Sequence, residues 1–307
     1  MSLRIVRTIA GLRRIVARWR AAGERVAVVP TMGSLHDGHL TLVAEGLKRA
    51  DRVIATIFVN PSQFAAHEDL GRYPRDEAGD LAKLHMAGCH LVFAPPVEEI
   101  YPKGFATTVQ LAGPAKAGLE DRSRPQFFDG VATIVAKLFI ETGADFAFFG
   151  EKDYQQLLVV RKLAADLDIA INVVGVATER EADGLAMSSR NAYLSKTERQ
   201  TAPHLHRALS EAAIRIADGL DPATACRNAR RTLVRHGFRV DYLEARNAAT
   251  LAEPQARGEP LRLLAAAWLG ATRLIDNVAV GSGPRRQAGG RSRVKIKRPS
   301  PPKPRRR

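Results

Sequence analysis

Hydrophobic residues in this chain fall into two alternating rhythms. Short, near-continuous apolar runs occur at residues 26 to 29 (VAVV), 52 to 60 (RVIATIFVN), 89 to 95 (CHLVFAP), 145 to 150 (DFAFFG) and 170 to 177 (AINVVGVA). Between them lie longer segments with apolar positions at helical spacing: the stretch carrying Leu40, Leu42, Val43 and Leu47, then EAGDLAKLHMAG, GVATIVAKLFIETG and YQQLLVVRKLAADL. A strand apolar on both sides is buried on both faces, and a helix with one apolar stripe packs against such a sheet. The alternation therefore predicts an α/β fold, a Rossmann-like parallel sheet covered by helices. Ahead of it, Ile5, Ile9, Leu12, Val16 and Trp19 form one stripe, which predicts a first amphipathic helix.

From about Glu179 the rhythm changes. GLAMSSRNAYLS is polar and irregular, two helical segments follow (KTERQTAPHLHRALSEAAIRIADG and DPATACRNARRTLVRHG), and VDYLEARNAA and RLLAAAWLGATRLIDNVAV read as two closing strands. The expected organisation is a sheet domain over residues 1–178, a smaller α+β lid domain over 179–280, and a basic tail over 281–307. No apolar run reaches the ~18 to 20 residues of a membrane span. The net charge of +15 invites a nucleic-acid role until it is located: eleven positive charges lie beyond Asp276, where there is no acid, leaving +4 for the rest. That tail has too little apolar material to offset the entropy of ordering it, so it is expected to be disordered. Without aromatic interleaving or a nucleic-acid module, it is not expected to bind nucleic acid. Cys89 and Cys226 belong to neither a CxxC motif nor a disulfide framework, which fits a reducing, cytoplasmic setting.

Ligands of doubly covered parallel sheets bind beyond the carboxyl ends of the strands. The segments in those places are PTMGSLHDGH, NPSQF, GEKDYQQ and EREADGLAMSSRN, and they carry His36, His39, Asn60, Gln63, Lys152, Gln155, Gln156, Ser188, Ser189 and Arg190. Backbone N–H groups at a helix start, with cations nearby, stabilise phosphate charge, so this rim suits a polyanion such as a nucleoside triphosphate. His36 and His39 lie one turn apart at a helix start and face one side. A metal pair would want a further Cys, His or acid at ligand spacing, and none accompanies them. Structural histidines are the bland alternative. Hydrogen bonds to phosphate oxygens as charge builds are the role the rest of the rim favours.

Taken in order, PTMGSLHDGHL, FVNPSQF, FGEKDYQQL and DGLAMSSRN resemble the pantoate-beta-alanine ligase family of the HxGH nucleotidyltransferase superfamily, over about residues 3 to 278. The resemblance implies ATP-dependent condensation of pantoate with β-alanine to pantothenate, through a pantoyl adenylate, with release of pyrophosphate and AMP. It also implies Mg2+ alongside ATP, and a cytoplasmic homodimer. By matching positions, Met32, Gly33, Ser34, Leu35, His36, Asp37, Gly38 and His39 would form a nucleotide loop. Gly150, Glu151, Lys152 and Asp153, with Glu179 and Met187, Ser188, Ser189 and Arg190, would complete the ATP site. His39, the residue usually given as proton donor, would act in catalysis with His36, Lys152 and Arg190. Gln63 and Gln156 would clamp pantoate beside Asn60. Glu120, Arg124 and Tyr73 would stand at a gate, and Asp80 on the Mg2+ side.

Three departures from the family pattern carry consequences. RPQFFDG stands where RPGHFxG is common, so Gln126 replaces a glycine and Phe127 a histidine, which predicts an altered loop. Gly79 stands where another acid is common, leaving substrate phosphates to supply most ligands of a cation. Glu179 replaces an apolar residue that offers its backbone to adenine, a contact that does not depend on the side chain. Another outcome within the superfamily is a nucleotidyltransferase that stops at an adenylated product; Gln63 and Gln156, matching the pantoate clamp, argue against it.

Overall fold

The computed structural model describes residues 3–65, 68–256 and 258–281; the basic tail from Ser282 onward, expected to be disordered, lies outside them. Six parallel strands, β1 (Arg4–Val6), β2 (Val26–Val29), β3 (Arg52–Thr56), β4 (Leu91–Phe93), β5 (Phe146–Gly150) and β6 (Asn172–Val176), form one sheet in the order β1-β4-β3-β2-β5-β6. The chain steps outward from β2 through β3 to β4, then returns to lay β5 on the other side of β2, in register at Ala27↔Phe146 and Val28↔Ala147. That reversal leaves a crevice beyond the ends of β2 and β5, the switch point at which α/β sheets hold ligands.

Alternation along each strand feeds two cores. Val26 and Val28 pack with Leu12, Val16, Val131, Val135 and Leu157, on helices Ile9–Ala21, Phe127–Thr142 and Tyr154–Asp166. Ala27 and Val29 face the other way, against Leu42, Val43 and Leu84 on helices Asp37–Leu47 and Glu77–Met86. A Rossmann-like sheet covered on both faces is what the apolar strand runs required.

The second part of the chain is built on an antiparallel sheet, β7 (Arg239–Asn247), β8 (Leu261–Leu269) and β9 (Thr272–Ala279), backed by helices His204–Ala217 and Pro222–Arg235. A separate apolar cluster joins the two parts: Leu119 and Leu158 from the first meet Tyr242, Leu251 and Leu264 from the second.

Four expectations are corrected. Ile5 belongs to edge strand β1 and is 44% exposed. The first helix starts only at Ile9, because the Thr8 hydroxyl caps it by accepting the Gly11 N–H. The last apolar stretch is two strands rather than one: Gly270, at φ 56°, lets the chain reverse within a run whose residues are apolar on both sides of the turn. Finally, the run 52 to 60 leaves the sheet at Thr56, and Phe58 N–H donates to Thr31 O (3.1 Å), binding the segment after β3 to the segment after β2.

Candidate active site at the switch point

After β2 the chain turns through two left-handed residues, Gly33 (φ 80°) and Ser34 (φ 52°). For serine this conformation costs about 1 to 2 kcal/mol. The Asp80 carboxylate compensates: its two oxygens accept the N–H groups of Ser34 and Leu35, both at 2.7 Å. Asp80 is 1% exposed and has no place in the cavity wall, so the acid expected beside Mg2+ is instead the brace of the loop. Lys83 adds a bond from Nζ to Leu35 O (2.7 Å). Gly33, Ser34, Leu35 and Asp37 thus shape the loop without lining the cavity, while Met32, His36, Gly38 and His39 line it.

His36 caps the helix Asp37–Leu47, and its backbone N–H donates to Nδ1 of His39 (3.3 Å). That acceptor role puts the His39 proton on Nε2. The two rings lie 4.1 Å apart. Burial, aided by the Lys152 charge, lowers the His36 pKa to about 4; burial, with His36 and then Lys152 and Lys83 adding to it, lowers that of His39 to about 3. Both imidazoles are therefore neutral at pH 7 and act as hydrogen-bond donors without charge. Nδ1 of His36 is buried with no partner among the described residues.

Beyond β5, Gly150 leads into a 3-10 turn over Glu151–Asp153 and then the helix Tyr154–Asp166. Lys152 and Asp153 line the cavity, with 3.6 Å between Nζ and the carboxylate. Glu151, also expected at ATP, faces away: its carboxylate accepts from Arg262 of β8 (3.1 Å). The segment Met187–Arg190 closes the same space. Ser189 Oγ donates to Ser34 O (2.9 Å), Ser188 Oγ accepts the Arg190 N–H (3.3 Å), and the Arg190 guanidinium lies 5.9 Å from the ring of Tyr73. Glu179 lines the cavity, but its carbonyl already accepts the Met187 N–H (3.0 Å).

Next to this polar end is an apolar wall of Phe58, Val131, Ile134, Val135, Leu138 and Phe149, with Asn60, Gln63 and Gln156 at its edge. Asn60 holds Gln63 in place, donating to its Oε1 and to Gly130 O, each at 3.1 Å, and accepting from the Tyr101 hydroxyl at 2.7 Å. Among the described residues Gln63 Nε2 meets only a thioether, Met32 Sδ (3.1 Å), a weak acceptor that a substrate oxygen can replace.

Arg124 forks onto Glu68 (2.8 and 2.6 Å), reaches Gln63 O (3.1 Å) and Glu120 (3.4 Å), and lies 3.8 Å from the ring of Phe127. Phe127 thus supplies a flat apolar face beneath the guanidinium, worth about 0.5 to 2 kcal/mol. Gln126 takes a right-handed conformation (φ −91°) that needs no glycine. Glu120 is held in turn by Arg273 Nη1 (2.6 Å) and the Tyr242 hydroxyl (3.3 Å).

Met32, His36, His39, Gln63, Arg124, Lys152, Gln156 and Arg190 thus border one cavity of about 720 Å³ between the sheet and the second part of the chain, large enough for a mononucleotide with a small acid. Glu68, Tyr242, Arg262, Arg273 and Asn277 were not anticipated. For Arg262, Arg273 and Asn277 the available signal was charge and amide on closing strands β8 and β9, which are otherwise largely apolar; Glu68 and Tyr242 carried no such signal. Among the described residues no three His, Cys, Asp or Glu side chains gather to hold a metal ion. With Asp80 committed to backbone amides, the residues present do not form a protein-built Mg2+ site.

Fold and site together define an α/β enzyme whose cavity lies at the switch point of its sheet, lined by His36, His39, Lys152 and Arg190. The pantoate-beta-alanine ligase family model matches residues 4–279, and the chain belongs to that family. It is 56% identical over 281 residues to the pantothenate synthetase of Caulobacter vibrioides, covering 90% of this chain and 98% of the relative. Among solved structures, pantothenate synthetase from Thermus thermophilus superposes with a TM-score of 0.86 at 47% identity, covering 90% of this chain and 99% of that one. The pantoate-beta-alanine ligase of Francisella tularensis, solved in complex with beta-gamma ATP and beta-alanine, does so with 0.76 at 29% identity, covering 92% and 99%.

Proposed function

We propose that this ligase condenses pantoate with β-alanine to give pantothenate through a pantoyl adenylate. The observation that carries the reading is the placement of two neutral histidines, Lys152 and Arg190 at one end of the cavity, against an apolar wall edged by Gln63 and Gln156. A carboxylate oxygen of pantoate, aligned by the two glutamines, attacks the α-phosphorus of ATP, and the bond to pyrophosphate breaks. The β-alanine nitrogen then attacks the acyl carbon, its extra proton passes to solvent, and AMP leaves with an oxygen that came from pantoate. The protein contributes proximity and charge stabilisation. His39 and His36 donate to phosphate oxygens as negative charge grows, and Lys152 and Arg190 offset it. Mg2+ belongs to this proposal as the counter-ion of ATP, with phosphate oxygens as its ligands. A sheet domain to residue 178 and a second domain over 179–280, acting as a cytoplasmic homodimer, complete the proposal on the strength of the family resemblance.

Pantoate labelled with 18O in its carboxyl group tests the route. One labelled oxygen is expected in the AMP formed when β-alanine is added; AMP free of label would rule the adenylate out.

A further inference from the structure

The two domains meet at the segment that carries Lys152. Asn277, on β9, is 3% exposed, and its side-chain amide is fully used. Nδ2 donates to Glu151 O (2.9 Å) and to Lys152 O (2.8 Å), and Oδ1 accepts from Arg262 Nε (2.6 Å). Arg262 extends the same grip: Nη2 donates to the Glu151 carboxylate (3.1 Å), and its guanidinium lies 3.9 Å from the ring of Tyr154. Two successive carbonyls of the turn after β5 are thus pinned by one amide of the second domain. The neighbouring residue on β9, Asp276, accepts both arms of Arg180 (2.8 and 2.9 Å), at the head of the segment that ends in Ser188–Arg190.

We propose that Asn277 is a positioning residue of the adenylation step, aiming Lys152 by fixing the backbone from which it extends. A lysine side chain has four rotatable bonds and a point charge, so its aim depends on where its backbone is held. Asn277 reaches no reacting atom; it acts through Lys152. The proposal rests on the functional reading above, in which Lys152 meets the phosphates of ATP. On this view β9 is part of the frame of the phosphate site, and the second domain is more than a cover for it.

The test is pyrophosphate release from ATP and pantoate, without β-alanine, by the full chain, Asn277→Asp, Lys152→Ala and the double variant. Aspartate keeps the shape and the acceptor for Arg262 but loses both N–H donors. For Asn277→Asp, kcat is expected to fall by about 10²-fold, as for a misplaced catalytic group. KM for pantoate should stay within about two-fold, since that site is untouched. The double variant should be no worse than Lys152→Ala by more than about three-fold, because two residues acting through one contact are not additive. A thermal unfolding midpoint establishes that the variant is folded; if it is not, Asn277→Ser, which retains one donor, takes its place and is expected to show a smaller loss of kcat. Unchanged pyrophosphate release, a loss that multiplies onto that of Lys152→Ala, or an equal rise in pantoate KM from general loosening would each overturn the proposal. Absence of release by the unaltered protein would instead overturn the functional reading itself.

Discussion

His36 and His39 owe their chemistry to burial. With pKa values near 4 and 3, neither titrates where a solvent-exposed histidine would, at 6.5. The dependence of kcat/KM on pH reports groups of the free enzyme. Pyrophosphate release should therefore show no acidic limb near pH 6.5, with the limb displaced toward pH 4; a limb at 6.5 that disappears in His39→Gln would contradict this. The same shift has a consequence for stability. Between about pH 4 and 6.5 the unfolded chain takes up protons at these positions and the native one does not, so their contribution is intact above pH 6.5 and is lost as pH falls. Urea unfolding at pH 7 and pH 5 should show the decline, and His39→Gln should show less of it. Asp80 makes a different prediction. Asp80→Asn sets an amide N–H against a backbone N–H and should cost about 1 to 3 kcal/mol of unfolding free energy. The Mg2+ concentration that half-saturates activity should not move, whereas a ligand role would shift it. The His pair and Lys152 were legible in the sequence because they directly follow strand runs. The role of Asp80 was not, since its partners Ser34 and Leu35 lie 46 and 45 positions away.

At the scale of elements, the helix Phe127–Thr142 packs on the turn Pro61–Gln63 so closely that a Cβ on Gly130 would lie 2.7 Å from Gln63 N and nearer still to Ser62 O. Only glycine tolerates that approach, and the contact sets the height of Gln63 in the cavity. Gly130→Ala should push the turn away at about 1 to 3 kcal/mol of overpacking. Steady-state kinetics should record this as a KM for pantoate raised by roughly ten-fold, the equivalent of 1.4 kcal/mol, with KM for ATP little changed. An equal effect on both substrates would mean that the turn does not serve pantoate. Element identity was largely readable from the two apolar rhythms. What escaped was local: the short edge strand β1, whose Ile5 mimics a helical stripe, and the reversal at Gly270, hidden because β8 and β9 are apolar on both sides of it.

For the whole molecule, strand order explains why segments so far apart in sequence share one cavity: β2 and β5 are neighbours, and the turns after them converge. The apolar strand runs made this sheet legible. The share of β8 and β9 was not, because Arg262, Asn277 and Arg273 meet partners 111, 125 and 153 positions away and no periodicity encodes such a distance. The site residues described end at Asn277, so removing residues 282–307 should leave pyrophosphate release unaltered, a comparison that a simple truncation provides. The most direct test of the central claim is AMP formation by the purified protein with ATP, pantoate and β-alanine, each omitted in turn. AMP should appear only when all three are present, and pyrophosphate already with ATP and pantoate alone; no AMP from the complete mixture would contradict the assignment.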